Sequence, residues 1–434
     1  MSVCERKRLR STLSGALPEI IFVMIAYIQL TEEQLSDYEA DPSMYAVDED
    51  EDGLSFSVRS AANQLVQEIC RQFGTNALEA LQIAVQNRLS VTEMSWKLKE
   101  AIFFAVGSGF RAWNEVVTQE DDDAVQIPFA IDEFTQVIAS ETQSSISLLK
   151  GRTIWTGAAL MSIVAQTPDR VEWTKELGTL AASCVRDPHS DLPLRLLSAK
   201  VLGIISAVLP AGYLAQDLET VIPALFELIP HLEEDALYLI LDTVASLIPL
   251  NPESSARIGA VIANGTCQVW YQNYSDPVVS QLVTLIVSEL AKLPNIAEGL
   301  QSVFARPIFE AMDKPDPKLP GILETAVEIL GLIVFQSPWP LQEAMNPLFP
   351  MLIQYMMTTQ DSSLLQFGSA AVVAYLKSGG ERLAEWNDGT ASAFSYVLRV
   401  IERLLGPDVT SEGALLAGNV VSKLFDTVSR SLEK

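Results

Sequence analysis

Two strings of carboxylates are the residues of this chain whose types and spacing most plainly suggest chemistry. Asp48, Glu49, Asp50, Glu51 and Asp52 stand together in "YEADPSMYAVDEDEDGLSFSVRSAANQLVQEI", and Glu120, Asp121, Asp122 and Asp123 stand in "TQEDDDAVQ". Three kinds of chemistry use such residues. A calcium loop needs alternating acids, a glycine at its sixth position and a bidentate glutamate at its twelfth. Asp48 to Gly53 imitates the first half, but the twelfth position is Arg59, so the ligand that closes the site is missing. General acid–base work needs two carboxylates held across a cleft with separated pKa values, and these acids are consecutive on one segment. Electrostatic capture remains: exposed acids attract a basic polypeptide and speed its encounter within a Debye length of about 8 Å.

No other group competes with them. The only histidines are His189 and His231. In "PHSD", His189, Ser190 and Asp191 are neighbours in sequence, whereas a catalytic triad converges from separate elements. The segment reads as a turn capping the following helix. "VGSGF" (106–110) and "KSGGERL" (377–383) read as glycine turns without the lysine-bearing frame of a phosphate loop. Cys4, Cys70, Cys184 and Cys267 are far apart and form no metal-binding pair, so they read as reduced thiols. The expectation is a protein that is not an enzyme and uses no cofactor or metal.

Charge narrows the partners. The chain has 434 residues, 55 acidic against 29 basic, for a net charge of −26. Such a surface repels nucleic acid and anionic membranes and attracts basic proteins. "ERKRLR" followed by "IIFVMIAYI" imitates a secretory signal, but Pro18 and Glu19 interrupt it. The apolar run is also shorter than the roughly 20 residues that span a bilayer. A buried helix is the reading, with no membrane insertion.

The elements that must position the acids repeat. Val58, Ala61, Ala62, Leu65, Val66, Ile69 and Cys70 follow helical spacing and are expected to form one buried face. "ILDT" (240–243) returns as "ILET" (322–325), an offset of 82 residues, and Phe226, Phe309 and Phe349 recur at intervals of 83 and 40. These phenylalanines are expected to pack between repeats. A helix–turn–helix unit of about 40–47 residues is the HEAT or armadillo period. With no run of alternating strands, the fold class is all-α, a right-handed α-solenoid of HEAT repeats. A polar segment (1–14) precedes a continuous solenoid (15–434), irregular over about 88–150.

"DPSMYAVDEDEDGLSFSVRSAANQL" resembles the importin-β superfamily of nuclear transport receptors, the karyopherins. There an acidic loop in a central repeat precedes a helix of the form x-V-R-x-A-A-x-x-L, matched here by Val58, Arg59, Ala61, Ala62 and Leu65. "YIQLTEEQLSDYEADPSMY" is similar to the importin nine subgroup, karyopherin one-fourteen in yeasts. The resemblance implies a receptor that wraps basic cargo such as histones, touches phenylalanine-glycine nucleoporins and shuttles between cytoplasm and nucleus. It also implies regulation by the GTPase Ran in its GTP form, with Asp48–Asp52 contacting Ran or cargo. Family members have about twice the repeats that 434 residues hold, so a central fragment or shortened paralogue is expected. A HEAT scaffold subunit and an acidic histone chaperone are the alternatives, and neither requires nucleoporin binding.

Overall fold

The computed structural model describes residues 3–47, 57–91, 93–117, 127–164, 167–314, 320–380, 382–406 and 411–432. Among them are helices and short 3₁₀ turns, with a single isolated bridge between Asn387 and Ser392 as the only extended pairing. The described residues are all-α, stacked as HEAT-type helix pairs, and the chain divides into two compact units, Met1–Leu250 and Asn251–Lys434.

The first unit opens with α1 (Val3–Tyr27), α2 (Glu32–Ala40), α3 (Met44–Val47), α4 (Val58–Phe73), α5 (Thr75–Leu89) and α6 (Trp96–Val117). It continues with α7 (Ile131–Glu141), α8 (Ser147–Val164), α9 (Pro168–Arg186), α10 (Leu192–Ser206), α11 (Ala215–Leu228) and α12 (Glu234–Leu247). Helices α4, α6, α8, α10 and α12 pack side by side as one layer; α1, α5, α7, α9 and α11 cover it as the other. Each pair buries its apolar faces only against its neighbours, as stacked repeats must.

In the second unit α13 (Pro252–Arg257) leads into α14 (Gly259–Asn273), α15 (Pro277–Ala291), α16 (Ala297–Asp313), α17 (Pro320–Gln336), α18 (Leu348–Thr358) and α19 (Ser362–Gly379). The short α20 (Arg382–Glu385), α21 (Ala393–Leu404) and α22 (Ser411–Leu432) complete it. There α15, α17, α19 and α22 form one layer, and α14, α16, α18 and α21 the other.

Local chemistry sets the helix ends. Thr31 and Gln34 close a capping box at α2, and Ser57, Asp276 and Asp361 accept backbone N–H groups at the starts of α4, α15 and α19. The segment around His189 is a turn, as expected, but the side chain that stitches it is Asp187. Its carboxylate accepts from the His189 amide and the Ser190 hydroxyl, both at 3.0 Å. Those bonds hold the Asp187 carboxyl below its ordinary value. Asp191 occupies the cap position of α10 without a side-chain bond. The "IIFVMIAYI" run is a core helix, with Leu17, Ile21 and Ile25 fully buried. No single helix among the described residues is long and apolar enough to cross a membrane.

Three expectations need correction. "VGSGF" is not a turn; it lies inside α6. Gly107 faces the indole of Trp155 on α8, and a Cβ on Gly109 would stand 3.1 Å from the Cys70 sulfur on α4. These glycines let three helices of one layer approach closely. Gly107→Ala should therefore lose stability although alanine favours helices by about 1 kcal/mol. Overpacking against a rigid ring costs about 1–3 kcal/mol, so a net loss of up to about 2 kcal/mol is expected in chemical denaturation. A gain in stability would show that the ring yields.

The buried face of α4 is also rotated from the expected one. Val58 and Leu65 are 65% and 43% exposed, while Arg59, Asn63 and Gln67 are buried beside Ala62, Val66, Ile69 and Cys70. Finally, the recurring phenylalanines differ: Phe349 is buried, Phe226 half-buried and Phe309 36% exposed.

Candidate interaction site at the acidic connections

Both carboxylate strings, Asp48–Asp52 and Glu120–Asp123, lie outside the described residues, so the structure speaks through their flanks. The first string joins α1, of the covering layer, to its repeat partner α4 by way of α2 and α3. The turn of α3 does not stay beside its own repeat. It packs on α10 and α12, and Lys200 of α10 donates to the Ala46 carbonyl at 3.2 Å. The chain thus enters the acidic stretch from the face of the α4–α12 layer.

One carboxylate fixes both sides of that stretch. Glu100, on α6 and wholly buried, accepts from the Tyr45 hydroxyl at 2.8 Å and from Arg59 Nη2 at 2.7 Å and Nη1 at 2.9 Å. Tyr45 stands three residues before Asp48; Arg59 stands in the first turn of α4. Arg152 of α8 donates its Nε–H to the same Glu100 oxygen at 3.0 Å. Tyr45 also donates to the Leu148 carbonyl at 3.2 Å, and Arg59 to the carbonyl of Ile28, just beyond α1. Helices α1, α3, α4, α6 and α8 therefore meet at one group.

Aromatic faces lie against both guanidiniums: the Phe104 ring lies 4.8 Å from the Arg59 carbon and 4.3 Å from that of Arg152. The rings of Trp155 and Tyr45 lie 4.9 and 5.1 Å from Arg152. Burial works against the Arg59 charge, but Glu100 outweighs it and holds the guanidinium above its ordinary value. Burial pushes Arg152 down. Burial and the Glu100 charge push the Tyr45 hydroxyl far above its usual range, so it remains a donor. The cluster is fully internal and has no access for a substrate; its chemistry is to hold the chain.

The second string connects α6 to α7, from the inner layer to the covering one. Its return is fixed by Phe129, which stands edge-on to Phe110 at 5.0 Å and Phe134 at 5.5 Å. The Ala130 amide donates to Gln82 on α5 at 2.9 Å. Sequence reasoning identified Arg59 only as a motif residue and missed Tyr45, Glu100 and Arg152. A signal was present: an arginine inside "LLKGRTIWTGAAL" and a glutamate entering "EAIFFAVGSGF" are charges in apolar helices, which need partners.

Residues 12–192 match the family model for importin-9 central HEAT repeats. Over 97% of its length the chain is 22% identical to Importin-9 of Drosophila melanogaster, of which it covers 41%. It is 21% identical over 96% of its length to Importin subunit beta-5 of Schizosaccharomyces pombe, of which it covers 40%. Among solved structures, the exportin Cse1 in its cargo-free, cytoplasmic state superposes with a TM-score of 0.64 at 15% identity, over 92% of this chain and 41% of that one. The chain thus spans about two fifths of the length of the curated relatives it matches. Those relatives are transport receptors, not enzymes. Among the described residues no histidine, cysteine and carboxylate groups gather as metal ligands.

Proposed function

We propose that this chain is a member of the importin-β family of karyopherins and forms the cargo-holding part of a nuclear import receptor. The cargo is a basic protein, histones above all, and Asp48–Asp52 is the primary contact. The observation that supports this is that residues on both flanks of the stretch, Tyr45 and Arg59, bond to the one carboxylate of Glu100. Glu120–Asp123 is a second, independent contact. The chain shuttles between cytoplasm and nucleus with phenylalanine-glycine nucleoporins as its other partners. Ran in its GTP form acts on the same acidic stretch, modulating cargo.

Exposed charges mainly steer encounter and are screened by salt. Changing Asp48, Asp50 and Asp52 to Asn and Glu49 and Glu51 to Gln should slow histone association about tenfold or more at low salt. Dissociation should change much less, and the difference from wild type should shrink at high salt. Stopped-flow binding at two ionic strengths checks this. Unchanged association rates would remove the stretch from the contact. Neutralising Glu120–Asp123 separately should give a smaller effect, since that string carries four acids against five, and the two effects should add if the strings act independently. Capture by immobilised phenylalanine-glycine repeats separates a transport receptor from a histone chaperone or a HEAT scaffold, which would not be retained.

A further inference from the structure

The layer of the second unit carries a groove that the acidic connections do not explain. About 750 Å³ lies open along α17, α19 and α22, walled by Leu332, Phe335, Phe367, Val373 and Leu416. It continues at the end of α19 into a smaller pocket of about 330 Å³, where Lys377, Arg382 and Lys423 line one space with Asp426. Lys423 and Asp426 border both spaces, so the apolar trough runs directly into the cationic end.

That end is unusual for this protein. Among the described residues three cations share the pocket with one carboxylate, in a chain whose acids outnumber its bases by 55 to 29. A lysine in the last turn of a helix ordinarily complements the terminal carbonyls, which accounts for Lys377 on α19. It does not account for the other two. Lys423 projects from within α22 and Arg382 opens α20, so the charges converge from three elements. Their present partners leave donors over. Lys423 Nζ stands 3.8 Å from Asp426, Arg382 gives one N–H to the Trp339 carbonyl at 3.1 Å, and Lys377 Nζ rests 3.1 Å from the centre of the Phe335 ring. Burial and the nearby Lys423 charge both push the Lys377 ammonium down. Positive groups gathered in this way gain most from an oxyanion placed between them. The exposed Phe335, at 40%, marks the apolar side of the junction.

We infer that this groove seats a partner polypeptide whose apolar side chains lie over α17, α19 and α22 and whose acidic residues follow them into the Lys377–Arg382–Lys423 pocket. The occupant is opposite in charge to a basic cargo, so the two are held on different surfaces.

The test uses the full chain and two labelled synthetic peptides read by fluorescence anisotropy. One has a leucine- and phenylalanine-bearing centre followed by glutamates; the other has glutamines in their place. The glutamate peptide should bind about tenfold more tightly, as expected for charge-assisted bonds. Lys423→Glu and, independently, the exposed Arg382→Glu should remove that advantage with unchanged circular dichroism. Phe335→Ala should weaken both peptides. Histone association through residues 48–52 should be unaffected by all three variants. Equal affinity of the two peptides, or charge reversals without effect, would overturn the cationic end. Indifference to Phe335→Ala would overturn the trough. Absence of glutamate-peptide binding at millimolar concentration would overturn the whole inference.

Discussion

Replacing Glu100 by glutamine is expected to destabilise the first unit by about 3–5 kcal/mol, the cost of removing one partner from a buried ion pair. The amide keeps the shape and one oxygen, but it cannot balance Arg59 and Arg152, whose guanidiniums are 3% and 1% exposed. Its NH₂ group would also face donors where Oε1 or Oε2 now accepts from them. Thermal melts followed by circular dichroism should show an early transition. Hydrogen exchange should quicken at residues 44–47 and in the first turn of α4, because both are tied to this carboxylate. Tyr45→Phe is a milder control. It removes one donor while leaving the charges paired, and should cost about 1–3 kcal/mol. A melting curve of Glu100→Gln that overlays the wild type would show that the carboxylate does not hold these elements.

The second large effect separates two residues that share a repeat position. Phe349→Ala should cost about 3–5 kcal/mol, because its ring is buried and touches Tyr375, Trp386 and Tyr396 at centroid distances of 4.6, 5.5 and 6.2 Å. Phe309→Ala should cost under about 1 kcal/mol, since that ring is 36% exposed. Urea unfolding of the two variants measures the difference. Similar losses would mean that Phe309 is covered in solution.

This pair illustrates what was legible in the sequence. Offsets of 82, 83 and 40 residues identified the repeat, since each unit must present the same apolar stripe to the next. They located Phe226, Phe309 and Phe349 on equivalent helices, α11, α16 and α18. The degree of burial depends instead on what the neighbouring repeat supplies, as Tyr375 and Trp386 do for Phe349, and that is not periodic. The register of α4 failed for a related reason. Counting apolar residues placed Val58 and Leu65 inward, but the charge of Glu100, 41 positions away in sequence, draws Arg59 in and turns the helix. Gly107 and Gly109 read as a turn because glycine breaks isolated helices. Here contact with Trp155 and Cys70 outweighs that tendency. The short α3 was invisible because four residues carry no period, although Tyr45 and Ala46 are fully buried within it.

The attachment of Tyr45 and Arg59 to a common carboxylate has a consequence for how the stretch between them can vary. Bringing two points of a chain together costs entropy that grows only slowly with the intervening length, about 0.6 kcal/mol for each doubling. Here both closing contacts lie in the core, one on each side of the acidic stretch. Insertions, deletions and changes of composition between these two anchors therefore leave the helical stack nearly untouched. Glu100 makes this segment a replaceable cassette: a descendant could exchange one partner specificity for another there without refolding the scaffold that carries it.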